Sequence, residues 1–255
     1  MTDDLLRTRM LRGDTLAGTF LKTPALELVE VLALSGLDFL ALDAEHAPFD
    51  RGRMDACLAI GRALNFPILV RVPDGSQAEI LKVMDSGATG VIVPHVATAE
   101  KAANIAKWSH FGHGGRGFAG SHRWSAFTTK TMPELLAQSA EETIVIAQIE
   151  EPEGVEAIDD IAGTDGIDGV FVGPADLAVC MGLNEAWAPE IKEAMGRVGD
   201  AAKRHGVACM TFAPNTAGAA ELNKLGVSMF FIGSEQSFAL SAAQDIANEL
   251  HELGN

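Results

Sequence analysis

The stretch TIVIAQIEEPEGVEAIDDIAGTDGIDGVFVGPAD, from Thr143 to Asp176, contains the pattern that decides the fold. It begins with an apolar run, continues through a longer amphipathic segment with Pro152 near its start, and returns to an apolar run at Gly169. Uninterrupted apolar runs are typical of parallel strands that are covered on both faces, and proline is favoured in the first turn of a helix. The stretch is therefore predicted to form a strand, a helix and a second parallel strand.

The same pattern extends over the whole chain, which has eight apolar runs separated by amphipathic segments. The runs are LAGTFLKT from Leu16, DFLALDAEH from Asp38, FPILVRVP from Phe66, GVIVPHV from Gly90, TIVIAQIE from Thr143, GVFVGPAD from Gly169, GVACMTFAP from Gly206 and SMFFIGSE from Ser228. Eight strand-helix units in 255 residues predict an α/β fold of the (β/α)₈ TIM-barrel type, formed by residues 1–255 as a single domain. An open doubly wound sheet is the alternative, but such sheets normally stop at about five or six strands.

The segments between the runs contain residues that typically start and end helices. Ser76 and Glu79 form a capping box at the start of one segment, and Gly87 can take the left-handed conformation that ends it. Gly226 is placed to end the helix before the eighth strand.

Composition restricts the function classes. With 35 acidic residues against 19 Lys and Arg, the chain carries a formal charge of -16, which disfavours binding to nucleic acid or anionic lipid and favours a small-molecule partner. No segment resembles a membrane span or signal peptide, and three cysteines without paired spacing suit a reducing compartment, so a cytoplasmic protein is expected. An anionic substrate would need a local positive site, from a bound cation, an arginine or both.

Two carboxylates are predicted to meet at the mouth of the barrel. Reacting groups of such barrels lie where strands end, and Glu150 and Asp176 end the adjacent fifth and sixth strands. Neighbouring carboxylates repel unless one is protonated or a cation lies between them, and a hard divalent ion is the natural partner of oxygen ligands. Mg²⁺ or Mn²⁺ is expected, with Co²⁺ as a third candidate. On spacing alone, the alternative that both residues merely cap helices is equally good.

Other polar residues also fall at strand ends. His46 follows Asp43 by three residues, so the carboxylate could orient the imidazole for acid-base chemistry, although a surface-loop histidine is equally compatible. Arg71 ends an apolar strand, where it could form a plain salt bridge or stabilise an oxyanion.

A long irregular segment separates the fourth and fifth strands, from about His110 to Pro133. Loops of this length in compact domains are usually functional, and a substrate lid is predicted. Its sequence GHGGRG, from Gly112, matches a dinucleotide motif in letters but follows a helix instead of a strand, so no nucleotide or other organic cofactor is expected.

Five motifs occur in order along the chain: LDAEHAPFD from Leu42, VRVP from Val70, MDSGATGVIVPHV from Met84, QIEEPEGV from Gln148 and FVGPADLA from Phe171. Together they resemble the HpcH/HpaI aldolases, which are metal-dependent class II pyruvate aldolases that cleave 4-hydroxy-2-oxoheptanedioate or 2-keto-3-deoxy sugar acids. The resemblance covers nearly the whole chain and implies a barrel of the phosphoenolpyruvate/pyruvate-binding type.

The resemblance also implies roles for individual residues. Glu150 and Asp176 are expected to hold the metal, Arg71 to stabilise the transition state and His46 to act as acid and base. Asp85 matches a carboxylate that supports the histidine. Because its helix runs away from the mouth, Asp85 should reach an active site only across a subunit interface. Pyruvate is expected to contact Gln148 and the backbone of Gly173, Pro174 and Ala175. Phe20 and Phe212 are also expected to line the substrate site.

The predicted reaction is reversible cleavage of a 4-hydroxy-2-oxo acid to pyruvate and an aldehyde through a metal-bound pyruvate enolate. Arg116 or Arg123 is expected to bind a carboxylate of the aldehyde. The resemblance further implies a homo-oligomer, a hexamer whose last helix is exchanged between subunits. Phe20 and the loop from His110 depart from the pattern, which leaves the aldehyde open. Two other functions are considered: a Schiff-base aldolase using Lys22, and a non-catalytic barrel that binds keto acids.

Overall fold

The structure is a computed structural model that describes residues 5–253. Within this range, eight parallel strands form a closed barrel in which each strand pairs with its sequence neighbours and the first pairs with the eighth. The strands are β1 Leu16–Leu21, β2 Phe39–Asp43, β3 Ile68–Arg71, β4 Gly90–Val93, β5 Ile144–Ile149, β6 Gly169–Val172, β7 Ala208–Ala213 and β8 Val227–Ser234. The predicted (β/α)₈ barrel is confirmed.

Helices cover the outside of the barrel. They are α1 Leu6–Leu11, α2 Leu26–Ala33, α3 Arg51–Ala63, α4 Gln77–Ser86, α5 Ala99–Ser109, α6 Met132–Glu142, α7 Pro152–Glu156, α8 Ile158–Ala162, α9 Pro174–Cys180, α10 Pro189–His205, α11 Ala219–Lys224 and α12 Glu235–Glu252. Over residues 5–253, no helix combines the length and apolar character needed to cross a membrane.

Most of the predicted helix signals act as expected, but only half of the capping box at α4 forms, because the Ser76 backbone N–H donates to Asp74 Oδ1 and the Glu79 carboxylate pairs with Lys82. The Ser76 hydroxyl accepts a hydrogen bond from the backbone N–H of Glu79, which satisfies one donor of the first turn of α4. Gly87 ends the same helix at φ 112°, a conformation that a side chain would disfavour. Pro152 occupies the first position of α7, where its missing N–H has no cost.

Two apolar layers stabilise the barrel. An outer layer lies between strands and helices, and an inner layer fills the barrel itself. Because side chains alternate along a strand, every second residue points inward. Each strand contributes at least one buried side chain to the inner layer, for example Leu16, Phe39, Leu69, Ile92, Ile146, Phe171, Met210 and Phe231.

Helix α1 closes the end of the barrel at which the strands begin. Its Leu6 and Met10 join the inner apolar layer. Arg7 pairs with Asp168 at 2.7 Å, immediately before β6, and Arg9 pairs with Asp38 at 2.6 Å, immediately before β2. With this end closed, the opposite end, where the strands finish, is left as the open mouth.

Gly90 tests how tightly the barrel is packed. A methyl group on its Cα would overlap the carbonyl oxygen of Ile144 on the adjacent strand, which cannot move without breaking the sheet. We expect Gly90→Ala to lower the free energy of unfolding by about 1–3 kcal/mol, the usual range for overpacking. Denaturant-induced unfolding followed by circular dichroism measures this change.

Gly218→Ala provides the control. Gly218 is exposed, has φ −95° and ψ −2°, and has open space around the position of a Cβ atom. Equal stability of the Gly90→Ala and Gly218→Ala variants would contradict the close approach of β4 to β5.

Candidate active site

Polar side chains replace apolar ones on the inward-facing positions as the strands reach the mouth. On β2 the inward series runs Phe39, Ala41 and then Asp43, and on β3 it runs Leu69 and then Arg71. The same two-residue period places Lys22, Gln148 and Glu150 after the inward residues of β1 and β5. Charged side chains therefore lie together at the mouth, next to the apolar layer that fills the barrel.

Asp43 and Arg71 form the central ion pair of the mouth. They occupy paired positions on β2 and β3, and Arg71 donates from Nε to Asp43 Oδ1 at 3.1 Å and from Nη2 to Oδ2 at 2.8 Å. Asp43 is fully buried and Arg71 is 7% exposed. Cζ of Arg71 also lies 4.7 Å from the centre of the Phe20 ring, so the aromatic face supports the cation from below.

The charge state of Asp43 follows from these contacts. Burial by itself raises the pKa of a carboxyl group, but hydrogen bonds and positive charge from Arg71 outweigh it and hold the pKa of Asp43 below its usual range. The His46 backbone N–H, which donates to Oδ1 at 3.1 Å, and the charge of Lys22 act in the same direction. Asp43 is therefore an ionised anchor for Arg71.

His46 lies beside this pair, but through a different contact from the predicted one. The Asp43 carboxylate accepts a hydrogen bond from the backbone N–H of His46, while the imidazole Nε2 lies 3.7 Å from Glu45 Oε2. The His46 side chain is 55% exposed, so it faces the open mouth. Glu45, and not Asp43, is the carboxylate next to the imidazole.

Glu45 is a site residue that the sequence reasoning did not select. Its Oε2 lies 3.3 Å from Arg71 Nε, and its side chain is 11% exposed. Burial raises the pKa of Glu45, Arg71 and His46 lower it, and the negative charges of Glu150 and Asp43 raise it further. Its position between Asp43 and His46 at the end of β2 was the signal that could have identified it.

Glu150 forms the second polar centre of the mouth. It is 3% exposed and follows β5 directly. Gln148 donates a short hydrogen bond from Nε2 to Glu150 Oε2. A Cβ atom at Gly173 would lie 3.1 Å from both Cβ and Oε2 of Glu150, so the glycine allows the turn after β6 to approach this carboxylate closely.

His95 also contacts Glu150 and was likewise missed. Its backbone N–H donates to Glu150 Oε1 at 2.7 Å, and its ring Nδ1 lies 3.2 Å from the same oxygen and from Glu151 Oε1. His95 has φ 57°, a conformation that is uncommon for a residue with a side chain and is enriched at functional sites. Its place in VPHV, directly after β4, follows the strand-end rule that identified Arg71 and Glu150.

The oxygen atoms around Glu150 suit a hard divalent cation. Gln148 Oε1 is buried and has no hydrogen-bond partner in the structure, although buried polar atoms normally have one. Asp176 is exposed in the first turn of α9, three residues after Gly173. Among residues 5–253 no cluster of three or more His, Cys, Asp and Glu side chains is arranged to hold a metal. The residues predicted to hold an ion, Glu150 and Asp176, would offer it two carboxylates, and Gln148 would add an amide oxygen.

The remaining predicted substrate contacts are only partly gathered here. Phe212 is half-buried, with its ring centre 6.4 Å from that of Phe20. Pro174 is buried at the start of α9, and Ala175 beside it is exposed. Phe20 itself is buried at 3% exposure and serves as the floor under Arg71.

Three predicted residues are held outside the mouth cluster. Asp85, in the last turn of α4, accepts hydrogen bonds from Arg116 at 2.7 and 3.0 Å and lies 3.3 Å from His122 Nε2. The Arg116 side chain is fully buried between Phe111 and Trp124.

Arg123 is also occupied outside the mouth. It donates to Asp55 of α3 at 2.8 Å. The prediction that Arg116 or Arg123 binds the aldehyde does not fit these positions within the same subunit, because both guanidinium groups already serve to attach the long loop to α3 and α4.

Comparison with known proteins identifies the family of the chain. A family model described as HpcH/HpaI aldolase/citrate lyase matches residues 16–242. The chain is 38% identical over 221 residues to a 5-keto-4-deoxy-D-glucarate aldolase of Klebsiella pneumoniae, and the match covers 86% of each chain.

Solved structures match over nearly the full length. An HpcH/HpaI aldolase/citrate lyase family protein from Burkholderia cenocepacia J2315 superposes with a TM-score of 0.90 at 32% identity, covering 96% of this chain and 98% of the other. The citrate synthase SbnG superposes with a TM-score of 0.85 at 28% identity, covering 97% and 99%.

The barrel and the class of its relatives define a lyase of the aldolase type. The chain belongs to the HpcH/HpaI aldolase/citrate lyase family, as the five sequence motifs predicted.

Asp43→Asn tests the central ion pair. The substitution removes the closer of the two carboxylates beside buried Arg71 and leaves only Glu45, at 3.3 Å, so we expect a loss of about 2–3 kcal/mol in the free energy of unfolding at neutral pH. Because the pKa of Asp43 is lowered in the folded state, its stabilisation is present above the unfolded value near 4 and is lost as pH falls through the folded value. The difference between wild type and variant should therefore shrink in acid, as measured by urea unfolding at several pH values.

Asp55→Asn is the matched control, because Asp55 pairs with Arg123 but its side chain is 43% exposed. We expect it to change stability by less than about 1 kcal/mol. If the two variants lose the same stability, or if the Asp43→Asn deficit is constant down to acid pH, the ion pair does not have the assigned role.

Proposed function

We propose that the protein is a divalent-metal-dependent class II pyruvate aldolase that reversibly cleaves 4-hydroxy-2-oxo acids to pyruvate and an aldehyde. The observation that carries this proposal is the position of the buried Asp43–Arg71 pair beside the Gln148–Glu150 pair at one mouth. The first provides a fixed cation and the second provides oxygen ligands with one unsatisfied atom. Both are needed to stabilise an enolate at neutral pH.

The proposed ion is Mg²⁺ or Mn²⁺, with Co²⁺ as a third candidate, held by Glu150 and Asp176 with help from Gln148. Such an ion supplies Lewis-acid polarisation of the substrate ketone and makes the neighbouring carbon acidic.

Arg71 stabilises the negative charge that develops during cleavage. Breaking the bond between C3 and C4 moves an electron pair toward the C2 oxygen and gives the enolate of pyruvate. Asp43 accepts hydrogen bonds from Nε and Nη2 of the guanidinium, and the other N–H groups of Arg71 remain to donate to the C2 oxygen. Since Asp43 fixes the guanidinium in advance, little reorganisation accompanies the charge transfer.

His46 is the proposed acid and base. Its exposed imidazole, next to Glu45, removes the proton from the C4 hydroxyl through a bound water as the aldehyde forms. In the reverse direction it returns the proton to the new alkoxide. Pyruvate itself is proposed to contact Gln148 and the backbone from Gly173 to Ala175.

The first substrate to test is 5-keto-4-deoxy-D-glucarate, because a relative with that activity by name is 38% identical over most of both chains. SbnG is named a citrate synthase, so the assay should also include citrate and related acids.

The Schiff-base alternative requires Lys22 as a neutral nucleophile. Lys22 Nζ lies 3.4 Å from Asp43 Oδ2, and attack on a ketone would require the ammonium group to give up a proton at the expense of this contact. The contact favours the metal-dependent reaction over the Schiff base.

A homo-oligomer, a hexamer by family resemblance, is part of the proposal. Beyond its first residue, α12 lies largely open to solvent, with Leu240, Ile246 and Leu250 each 60% exposed. Apolar exposure of this extent on a helix is typical of an interface. In such an assembly, α12 packs against a second copy, and Asp85 supports acid-base chemistry at a neighbouring mouth.

Metal dependence is the primary test. Purified protein treated exhaustively with a chelator should lose pyruvate release from the keto acid, and Mg²⁺, Mn²⁺ or Co²⁺ should restore it. Glu150→Gln should reduce kcat by at least about a hundredfold and weaken metal binding measured by calorimetry, because one anionic ligand is lost.

Further measurements separate the alternatives. Arg71→Ala should still bind pyruvate but lose exchange of its methyl protons in deuterated water. Full activity after chelation, or a borohydride-trapped adduct on Lys22, would overturn the metal mechanism. Metal and pyruvate binding without proton exchange by the wild type would identify a non-catalytic binding protein.

The oligomer is tested by light scattering of the full chain after size-exclusion chromatography. We expect a mass several times that of one chain, and a smaller species for Ile246→Glu, because a charge on the exposed face of α12 disrupts apolar packing. A monomeric wild type would refute the proposed assembly.

A further inference from the structure

The mouth of the barrel is strongly acidic, which sets a requirement for any anionic substrate. Asp43, Glu45, Glu150 and Glu151 lie at strand ends there, with Asp176 on the turn after β6. A hydroxy keto acid adds at least one carboxylate of its own. Arg71 offers one cation, but it is tightly held by Asp43 and is only 7% exposed.

The two arginines that the sequence nominated for the far end of the substrate are paired with other carboxylates within this subunit. Arg116 is buried against Asp85, and Arg123 is paired with Asp55. A second cation is nevertheless available at the mouth. Lys22 follows Leu16, Gly18 and Phe20 on the inward-facing positions of β1, and its side chain is 35% exposed.

The backbone that carries Lys22 is fixed. Glu235, the first residue of α12, is 7% exposed and accepts the backbone N–H of Lys22 at 2.9 Å and that of Thr23 at 2.6 Å. Gln236 Nε2 donates to Thr23 Oγ1 at 3.3 Å. The Lys22 side chain therefore extends from a backbone that is held in place at the rim of the mouth.

The ammonium group of Lys22 is free to change partners. Its nearest carboxylate oxygen, Asp43 Oδ2 at 3.4 Å, already accepts a 2.8 Å hydrogen bond from Arg71. Asp43 also accepts from Arg71 Nε and the His46 backbone N–H, so it remains well satisfied without Lys22. A partly exposed and long ion pair of this kind contributes little, and moving the flexible lysine to a ligand costs little.

We infer that Lys22 binds a carboxylate on the aldehyde half of the substrate. This inference rests on the proposed aldolase function and assigns Lys22 as its specificity-determining residue. The ammonium reaches from Asp43 to the incoming carboxylate and offsets the repulsion of the acidic mouth. Lys22 takes part in recognition and forms no covalent bond.

Matched acceptors provide the test. The condensation of pyruvate with 4-oxobutanoate is compared with that of its uncharged amide, 4-oxobutanamide, which has nearly the same size and shape. A charge-assisted hydrogen bond in a partly enclosed site favours the acid by on the order of tenfold to a hundredfold in kcat/KM. We expect this preference in the wild type, mainly through KM.

Lys22→Met should remove the preference by raising KM for the acid, and Lys22→Arg should retain most of it because the positive charge remains. Lys224→Met is the control, since Lys224 is a 69% exposed lysine of α11 paired with Glu221. This control should keep the wild-type ratio between the two aldehydes.

Two results would overturn the role of Lys22. One is equal use of the acid and the amide by the wild type. The other is a proportional loss of activity toward both aldehydes in Lys22→Met, which would mean that Lys22 acts only on Asp43 and Arg71. If the wild type condenses pyruvate with neither aldehyde and cleaves none of the keto acids, the proposed function itself fails and the inference fails with it.

Discussion

The ion pair between Asp43 and Arg71 is the interaction on which the rest of the mouth depends. Its two members are paired residues of neighbouring parallel strands, so the sheet register fixes their separation. Burial makes an unpaired charge unfavourable at this position, and each residue therefore requires the other. The pair in turn sets the places of Phe20 under the guanidinium, Glu45 beside it and His46 above it.

A second constraint is the excess of negative charge. The chain carries a net charge of -16, and its reaction site lies among carboxylates. Glu45 shows the consequence, because burial and its anionic neighbours raise its pKa despite the contact with Arg71. Each positive group at the mouth consequently offsets part of the repulsion that an incoming anion meets. A proposed divalent ion, Arg71 and Lys22 would share this task in three different places.

The long loop after α5 shows how tertiary contacts can reassign residues. Its arginines looked suited to an aldehyde carboxylate, and its length suggested a lid. In the folded chain Arg116 is enclosed by aromatic rings and holds Asp85, while Arg123 holds Asp55. Both residues act as attachments between the loop and the helices outside the barrel. Asp85 is thereby fixed on a helix outside the barrel.

The sequence by itself determined the barrel, because eight apolar runs at helix-sized spacing leave few other ways to bury their side chains. It also determined that Arg71, Gln148 and Glu150 share one mouth, since parallel strands end on the same side. The sequence could not determine contacts between side chains of distant segments. Tertiary structure alone decided that the Asp43 carboxylate pairs with Arg71 and not with the His46 ring. It also decided that His95 contacts Glu150, and that Arg116 is buried while Lys22 remains accessible. These outcomes depend on burial and on competition among charged groups for the same partners, which spacing along a chain does not encode.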